Sequence, residues 1–314
     1  MTVFCLLAGY LKIDLISKAY PIYRLLALSN QLGSVSLFRV RSMSVDDFAF
    51  AIGITDQMNW ELTEADFAFM LRLEPGGCFV LLDGSERVGI ATSVSFDRLG
   101  WFGNLIVHSD KREKGGGSLL VNHALKYLTA KQVKSVGLYA YPSKIPFYTR
   151  LGFKYDSDFI VLKGKGTSTI TAGVSEAGQN SSKQIVDFDQ DCFGASRKKV
   201  LEPILLDPDN LCYMILEDKQ LLGFAAAKVY DKTAEIGPVV CSPGRSDIAI
   251  SLINAALNRL NGFEVSLYLH ERDASILEAL TTRGFSENFK VSRMFYGPPV
   301  TKDCIYAAES LERG

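Results

Sequence analysis

The stretch that decides the fold reads VHSDKREKGGGSLLVNHALKYL and covers residues 107–128. The apolar run from Leu105 to Val107 predicts a short strand that ends where this stretch begins. After the glycines, apolar residues recur at helical spacing, which predicts an amphipathic helix over 118–131. Three consecutive glycines, Gly115 to Gly117, join the two and leave backbone amides free to turn inward. The stretch therefore predicts an anion cradle at a helix N-terminus, with three cations beside it: Lys111, Arg112 and Lys114.

Two phosphate-binding patterns are missing from this loop, and their absence narrows the class of anion that the loop is expected to bind. A nucleotide P-loop needs Gly-Lys followed by Ser or Thr, and a dinucleotide site needs G-x-G-x-x-G. Neither pattern occurs in this loop, which instead reads R-x-x-G-x-G at Arg112, Gly115 and Gly117. A pyrophosphate fits such a cradle, and a flexible turn without a ligand is the open alternative.

Around this loop the pattern predicts a mixed α/β unit. Ser44 and Thr63 are candidate N-caps, and Gly152 is a candidate C-terminal stop. The predicted helices cover 44–54, 64–73 and 146–151, and the predicted strands cover 78–82, 88–96, 135–140 and 159–162, of which the last closes the unit.

The second part of the chain repeats the first. Residues 120–128 read LVNHALKYL and residues 252–260 read LINAALNRL, with five of nine positions identical at an offset of 132. The same offset carries Gly152-Phe153 onto Gly284-Phe285. Between the copies, the Gly-, Ser- and Thr-rich stretch 164–182 predicts a linker. We therefore expect five regions: an N-terminal extension, helical, over 1–36, a catalytic domain over 37–163, a linker over 164–183, a degenerate second domain over 184–300 and a C-terminal tail over 301–314.

Composition excludes several classes of protein. The 314 residues are 47% hydrophobic and 22% charged with a formal net charge of −1, which argues against disorder and against a general attraction to nucleic acid or membranes. Six cysteines without C-x-x-C spacing predict buried thiols in a reducing compartment, neither a zinc site nor a disulfide scaffold. Residues 1–36 carry three cations against one acid, so mitochondrial targeting stays open beside the expected cytoplasmic location.

These motifs resemble the GNAT superfamily of acyl-CoA N-acyltransferases. Its pyrophosphate loop has the R/Q-x-x-G-x-G/A form after a strand, and residues 147–153 resemble its F-Y-x-x-x-G-F segment. The second copy resembles the C-terminal half of a tandem GNAT subfamily, so that the resemblance covers about residues 37–297. Its motifs there are Asp189 or Asp191 with Phe193, Gly194 and Arg197; Ile236-Gly237-Pro238; Gly284-Phe285; and Arg293-Met294.

The resemblance implies two tandem α/β folds, each a mixed, mostly antiparallel sheet flanked by helices. It also implies acetyl-CoA as cosubstrate, no metal, and direct attack of an amine on the thioester in a ternary complex. Pantetheine would follow the strand at Ile106 and Val107, and pyrophosphate would bind the amides of Arg112 to Ser118. The implied cofactor-binding residues are Ile106, Val107, Arg112, Lys114, Gly115, Gly116, Gly117, Ser118 and Tyr148.

Proton transfer is only partly assigned. Tyr148 stands at the family's general-acid position, although a core tyrosine is the open alternative. Where the family often has a Glu, this strand has Asn104, which accepts no proton, so the base is unassigned. Asn104 and Trp60 are the expected substrate-binding residues, and core packing is the alternative for Trp60.

The second copy lacks the residues of the cradle. At the 132 offset, Gly244, Asp247, Ala249 and Leu280 replace Arg112, Gly115, Gly117 and Tyr148. We expect this half to have lost cofactor binding, to brace the first half and to form one wall of the acceptor cleft.

The sequence thus predicts an N-acetyltransferase, with a non-catalytic acyl-CoA-binding or scaffold protein as the alternative. A small-molecule amine is the favoured acceptor, a peptide amine stays open, and no nucleic-acid or membrane partner is expected. The acyl-chain length and the oligomeric state are left open.

Overall fold

The computed structural model describes residues 38–168, 173–299 and 302–314, so the expected extension 1–36 lies outside the described residues. The first half consists of β1 (Phe38–Ser42), α1 (Phe48–Asp56), α2 (Glu64–Leu73), β2 (Cys78–Asp83), β3 (Glu86–Phe96), β4 (Leu99–Val107), α3 (Gly116–Ala130), β5 (Ser135–Ala140), α4 (Ile145–Arg150) and β6 (Lys154–Lys165). The second half consists of β7 (Ser175–Glu176), α5 (Ser182–Phe193), α6 (Lys198–Leu206), β8 (Leu211–Glu217), β9 (Gln220–Tyr230), β10 (Thr233–Cys241), α7 (Ser246–Arg259), β11 (Glu264–His270), α8 (Ala274–Thr282), β12 (Ser286–Tyr296) and β13 (Ile305–Ala307).

Local sequence signals account for most element boundaries. Thr63 caps α2 in a reciprocal box, in which Asp66 accepts from the Thr63 amide at 2.8 Å. Ser44 forms the corresponding box with Asp47, but it opens a 3₁₀ turn before α1 begins. The prediction for β4 was too short, because Gly100, Gly103 and Asn104 interrupt the apolar run over its six earlier residues. No strand was predicted for β1, which pairs with β2 at the sheet edge.

All thirteen strands form one sheet in the order β1-β2-β3-β4-β5-β12-β6-β11-β13-β10-β9-β8-β7. Two pairs among these strands are parallel, β4 with β5 and β10 with β11, and the other pairs are antiparallel. The structure therefore confirms the expected mixed, mostly antiparallel sheet with flanking helices. It also confirms the repeat, since β4 and β10 begin at residues 99 and 233, and α3 and α7 begin at residues 116 and 246.

The two halves exchange their last long strands. β6 lies between β12 and β11 of the second half, and β12 lies between β5 and β6 of the first. The prediction that 159–162 closes the first unit was therefore wrong. The four residues Phe159 to Leu162 are at most 2% exposed, and strands of the other half cover both edges of β6. A hydrophobic run predicts a buried strand but does not identify its neighbours.

The stretch that joins the halves is partly regular. Gly164 and Lys165 still belong to β6, where a Cβ at Gly164 would lie 2.6 Å from the Phe285 ring. Ser175 and Glu176 form β7 on β8. Less of the stretch 164–182 is irregular than its glycine-rich composition predicted, because β6 extends into its start and β7 lies within it.

Residues 302–314, here called the terminal segment, are packed into the protein. Its strand β13 lies between β10 and β11, and the residues from Cys304 to Ser310 are all buried. The prediction of a tail over 301–314 was wrong in this respect. Small apolar residues such as Ala307 and Ala308 allow close packing, and a short run of them has too little periodicity to be recognised as a strand.

Three observations on the described residues bear on the class of protein. The five cysteines there are free, and four of them are buried. No group of His, Cys, Asp and Glu side chains in the described ranges is arranged to hold a metal ion. No helix within those ranges combines the length and apolarity needed to span a bilayer.

Candidate active site

A wedge opens between β4 and β5. The two strands pair only through Leu99, Gly100 and Trp101, and β4 then continues to Val107 with only β3 paired beside it. An extra residue in β4 causes a bulge, where Asn104 takes a left-handed conformation with φ of 51°. Beyond Trp101, the edge of β4 that faces the wedge therefore has no strand hydrogen-bonded to it, while β3 remains paired with the other edge.

The glycine loop lies at the end of β4. Gly115 adopts φ of 90°, a conformation that favours glycine, and α3 begins at the next residue. The amides of Gly115 to Ser118 have no acceptor among the described residues, as expected in the first turn of a helix. Gly116 lies against Leu81, where a Cβ would come within 2.6 Å, whereas at Gly117 the nearest atom would be 3.5 Å away, in the Phe147 ring.

The structure gives the three cations of the loop different positions. Lys111 is paired with Asp83 at 2.8 Å and Glu86 at 3.2 Å, so two carboxylates already balance its charge. Lys114 is exposed, and its ammonium donates to the carbonyl of Asp110. Arg112 is also exposed.

Two backbone groups of the predicted pyrophosphate and pantetheine sites already have partners. The Arg112 side chain donates from Nε to the Val107 carbonyl at 2.9 Å, and the Arg112 amide donates to Ser109. These contacts occupy one carbonyl near Ile106 and one amide of the cradle. The free donors are therefore concentrated in the first turn of α3.

Tyr148 lies in α4, which follows β5. Its ring is 8% exposed and packs between Phe147 and Phe153 at centroid distances of 5.0 and 5.7 Å. Its hydroxyl has no hydrogen bond among the described residues, and burial raises the pKa of this phenol far above its usual value. The contact of Phe147 with Gly117 brings α4 against the start of α3. Tyr148 is thus a protonated phenol beside the glycine loop.

Trp60 lies on the opposite face of the wedge, in the loop between α1 and α2. Its ring packs against the same buried cluster as Trp101 and Ile106. Its indole donates to the Tyr141 hydroxyl at 3.2 Å, and both rings are partly exposed. Asn104 is also partly exposed, at the bulge of β4. The packing alternative for Trp60 and a role in a binding wall are both compatible with this half-buried position.

The sequence interpretation missed the terminal segment at this site. The Trp101 indole donates to the carbonyl of Leu311 at 3.4 Å, and a Cβ at Gly103 would lie 2.7 Å from Cα of Glu312. The buried Arg197 donates to the carbonyl of Gly314. Gly103 was the one local signal, since a glycine inside a strand often marks close approach of another backbone.

The motifs of the second half hold this segment. Arg197 and Asp189, both essentially unexposed, form a two-bond ion pair at 2.6 and 3.1 Å, and the guanidinium stacks on Phe193. At Gly237 a Cβ would lie only 2.0 Å from the carbonyl oxygen of Ala308, so a larger residue would prevent the segment from passing. The motifs with Asp189, Arg197 and Gly237 therefore fix the position of residues 308–314, which lie at the candidate site of the first half.

Five charged side chains form a cluster, three from the segment itself and two from β9 and β10 beside it. Lys228 pairs with Glu235 and Glu309, each at 2.9 Å, and Arg313 pairs with Glu309 and Glu312. Burial opposes the charge of Glu309, but Arg313 and Lys228 outweigh it and lower the pKa of this carboxyl. Burial raises the pKa of Glu312, and Arg313 offsets this only in part.

In the second half, the chain itself fills the equivalent wedge. β10 and β11 pair from residues 233 to 236, after which β13 lies between them and pairs with Val239 and Val240. At the loop, the Tyr306 hydroxyl accepts from the Arg245 amide at 2.8 Å and donates to the Ser242 carbonyl at 3.2 Å. Asp247, in the first turn of α7, pairs with Arg245. The described residues of this half therefore leave neither an open strand edge for pantetheine nor a free anion cradle.

Comparison with known proteins agrees with this architecture. A profile described as "Acetyltransferase (GNAT) domain" matches residues 74–155, and a second profile with the same description matches residues 185–307. No curated protein sequence matches the chain significantly.

Solved structures share the fold along most of the chain. A putative acetyltransferase from Pyrococcus horikoshii is 20% identical, with a TM-score of 0.73 over 88% of this chain and 96% of that one. A GCN5-related N-acetyltransferase from Sphaerobacter thermophilus is 14% identical, with a TM-score of 0.62 over 87% and 99%. A tandem GNAT protein from the clavulanic acid biosynthesis pathway is 13% identical, with a TM-score of 0.58 over 83% and 99%.

Proposed function

We propose that this chain, which belongs to the GNAT superfamily and carries two of its domains in tandem, is an acetyl-CoA-dependent N-acetyltransferase with its active site in the first half. Membership makes acyl transfer the expected chemistry. The observation that carries the proposal is the open edge of β4, which leads directly to the free amides of Gly115 to Ser118.

The residues present fit acetyl-CoA. The free amides at the start of α3 suit a pyrophosphate, since they combine hydrogen-bond donors with the positive end of the helix. Arg112 and Lys114 lie exposed beside them. The unpaired edge of β4 suits the amide groups of pantetheine, which can hydrogen bond to it as a further strand would. No metal enters this proposal.

Transfer itself requires no protein nucleophile, because an amine attacks a thioester directly. Tyr148 is the candidate proton donor to the departing thiolate. Its buried phenol stays protonated at neutral pH and has no competing hydrogen-bond partner among the described residues, so that it can hydrogen bond to the thiolate as it departs. The raised pKa makes this phenol a weaker acid, so a supporting role fits it better than an essential one. Trp60 and Asn104 are the candidate acceptor-binding residues on the other side of the wedge.

Two observations favour the alternative, an acyl-CoA-binding scaffold. The terminal segment lies against β4 on the face where an acceptor would approach, and β4 itself carries no acid. Release of free CoA thiol with a panel of amines separates the two functions, because a scaffold would bind acetyl-CoA without releasing the thiol.

Thermal unfolding with and without acetyl-CoA tests the site. At about 100 times its dissociation constant, acetyl-CoA adds about 2.7 kcal/mol to the stability, which corresponds to a rise of a few degrees in Tm. We expect Gly117→Glu to lose this rise, since its carboxylate would repel the pyrophosphate. The variant should fold, because Gly117 has room for a side chain and an acid is stabilising in the first turn of a helix.

Gly178→Glu is the matched control, since a Cβ at Gly178 would meet no atom within 4 Å and this residue lies in the second half. It should keep the full ligand-induced shift. If wild type shows no shift at millimolar acetyl-CoA, or if Gly117→Glu keeps the shift, the proposed site is wrong.

A further inference from the structure

We propose that Glu312 of the terminal segment is the acid that β4 lacks: it binds the ammonium group of the acceptor and takes a proton from it, so that the acceptors are cationic alkylamines. This inference rests on the proposed function and adds its acceptor class and its proton-accepting residue. It is carried by the position of Glu312, by the charge around it and by the aromatic rings nearby.

The position follows from a close contact with β4. A Cβ at Gly103 would lie 2.7 Å from both Cα and Cβ of Glu312, so only glycine admits the segment there. Gly103 directly precedes the bulge at Asn104, beyond the last residue of β4 that pairs with β5. Glu312 therefore starts where the wedge opens, beside the position at which the sequence has Asn104 in place of an acid.

The backbone on both sides of Glu312 is fixed. The carbonyl of Leu311 accepts from the Trp101 indole, and the carbonyl of Gly314 accepts from Arg197. Arg197 is itself held by Asp189 in the buried ion pair. A residue held in this way is preorganised, which both acid–base catalysis and ligand binding require.

The charges around Glu312 leave one negative charge in excess. Two cations, Lys228 and Arg313, face three carboxylates, Glu235, Glu309 and Glu312, and the nearby ion pair of Arg197 with Asp189 is balanced. Tyr268 donates to Glu235 and adds no charge at neutral pH. Because an unbalanced buried charge is costly, a cationic ligand is favoured here.

Glu312 is the carboxylate of this group that is available to a ligand. Its side chain is 18% exposed, whereas that of Glu309 is fully buried and held by two cations. Glu235 is 29% exposed, but Lys228 and Tyr268 already occupy both of its oxygens. One Glu312 oxygen accepts from Arg313 at 2.6 Å, and the other has no hydrogen bond among the described residues. Burial also raises the pKa of this carboxyl, which makes it a stronger base than an exposed one.

Aromatic rings border the segment and suit the same ligand. Leu311, Tyr141 and Phe289 pack on one small cluster, and the rings of Tyr141 and Phe289 are 5.3 Å apart. Trp60 extends this wall through its hydrogen bond to Tyr141. Partly exposed aromatic faces beside a carboxylate are a common means of binding organic cations.

The proton balance is then complete. The acceptor enters as R–NH₃⁺, and its first proton passes to the Glu312 carboxylate and then to water. The free amine attacks the thioester carbonyl, the C–N bond forms and the C–S bond breaks. Under the proposed function the thiolate takes its proton from Tyr148, and the second proton of the nitrogen restores the Tyr148 phenol. The products are R–NH–acetyl, CoA thiol and one proton released to solvent.

Glu312→Gln tests the catalytic part, with Glu278→Gln as a control of equal charge change on the exposed face of α8. With n-butylamine as acceptor, we expect kcat/KM to fall at least about 100-fold in Glu312→Gln and to be unchanged in the control. The acidic limb of the pH profile of kcat/KM, which reports protonation of Glu312, should disappear. The Tm rise with acetyl-CoA should match wild type, which separates loss of Glu312 from loss of the cofactor site.

Calorimetric titration with n-butylamine, without acyl transfer, tests the binding part. With CoA present, wild type should bind the butylammonium ion at least tenfold more tightly than Glu312→Gln, and n-butanol should not distinguish the two proteins. Equal affinity in both proteins overturns the proposal. An unchanged or increased kcat/KM in Glu312→Gln also overturns it, and an increase would indicate that the segment blocks the site. If wild type shows no acetyl-CoA shift, the proposed function fails, but the titration still decides whether Glu312 binds the cation.

Discussion

His270, at the end of β11, shows how one residue carries pH dependence. Its ring is 6% exposed and lies 4.7 Å from the Phe159 ring, and its Nδ1 accepts from the Arg272 amide at 3.3 Å. Burial, together with the charges of Arg272 and Arg293, lowers the pKa of His270 to about 4. The folded protein therefore holds this imidazole neutral at pH values where the unfolded chain protonates it.

The sign of the effect follows from that difference. Between pH 6.5 and 4 the unfolded chain binds the extra proton, so stability falls as the pH falls. We expect His270 to account for about 2 kcal/mol of lost unfolding free energy between pH 7 and pH 5. Urea unfolding of wild type and His270→Gln at both pH values measures it, since groups with raised pKa values such as Glu312 and Asp273 cancel in the difference. Equal pH dependence of the two proteins would contradict this expectation.

Single residues also show what the sequence can reveal. The Thr63 cap and the loop glycine Gly115 could be predicted from the sequence because each acts within its own segment, whereas the role of Tyr148 stays a prediction. Glu312 was not found, because its significance depends on Gly103, which is 209 residues away in the chain. No periodicity or local motif reports a contact of that separation.

Among the elements, the helices and most strands of the first half were predictable, and their neighbours in the sheet were not. A strand's apolar pattern reports which faces are buried, and β6 has the same pattern whichever half covers it. The exchange of β6 and β12 and the insertion of β13 depend on contacts between parts of the chain that are far apart in sequence. The repeat predicted two copies of one fold, but it carried no information on the strands they share.

Gly103→Ala tests the packing of the terminal segment against β4. The added methyl group would lie 2.7 Å from Glu312, so the segment must shift, and we expect a loss of about 1–3 kcal/mol in unfolding free energy. The displacement of Glu312 should also lower kcat/KM for amines while the Tm rise with acetyl-CoA persists. Urea unfolding and steady-state kinetics measure these two effects.

Gly53→Ala is the control for this substitution. Gly53 lies inside α1 with no atom within 4 Å of an added Cβ, so alanine there should raise the unfolding free energy by about 0.5–1 kcal/mol. If Gly103→Ala behaves like Gly53→Ala, the contact with Glu312 is not tight in solution.

At the scale of the whole molecule, the exchanged strands make the halves one folding unit. Without the second half, β5 and β6 lose the strand β12 between them, and the sheet of the first half is interrupted. We expect full-length protein to unfold in urea in one cooperative transition. The halves produced separately, residues 38–168 and 173–314, should each fail to fold, because buried strand edges would be left unpaired.

Cleavage of the folded full chain between residues 168 and 173 provides the complementary measurement. Both fragments should elute together in size-exclusion chromatography, since strand pairing rather than the covalent connection holds them. Two separate urea transitions, or a stable monomeric fragment, would show that the halves are independent.

The terminal segment contacts both wedges, so a change in its path would alter both of them. The strand β13 of this segment fills the wedge between β10 and β11, and its residue Glu312 lies against β4 at the wedge of the first half. A variant in which β13 no longer pairs with β10 and β11 would open that wedge to a CoA-like ligand. The same displacement would move Glu312 away from the wedge of the first half. Under the proposed function, a ligand site gained at the second wedge is therefore an active site lost at the first, and the chain has one active site although its fold is present twice.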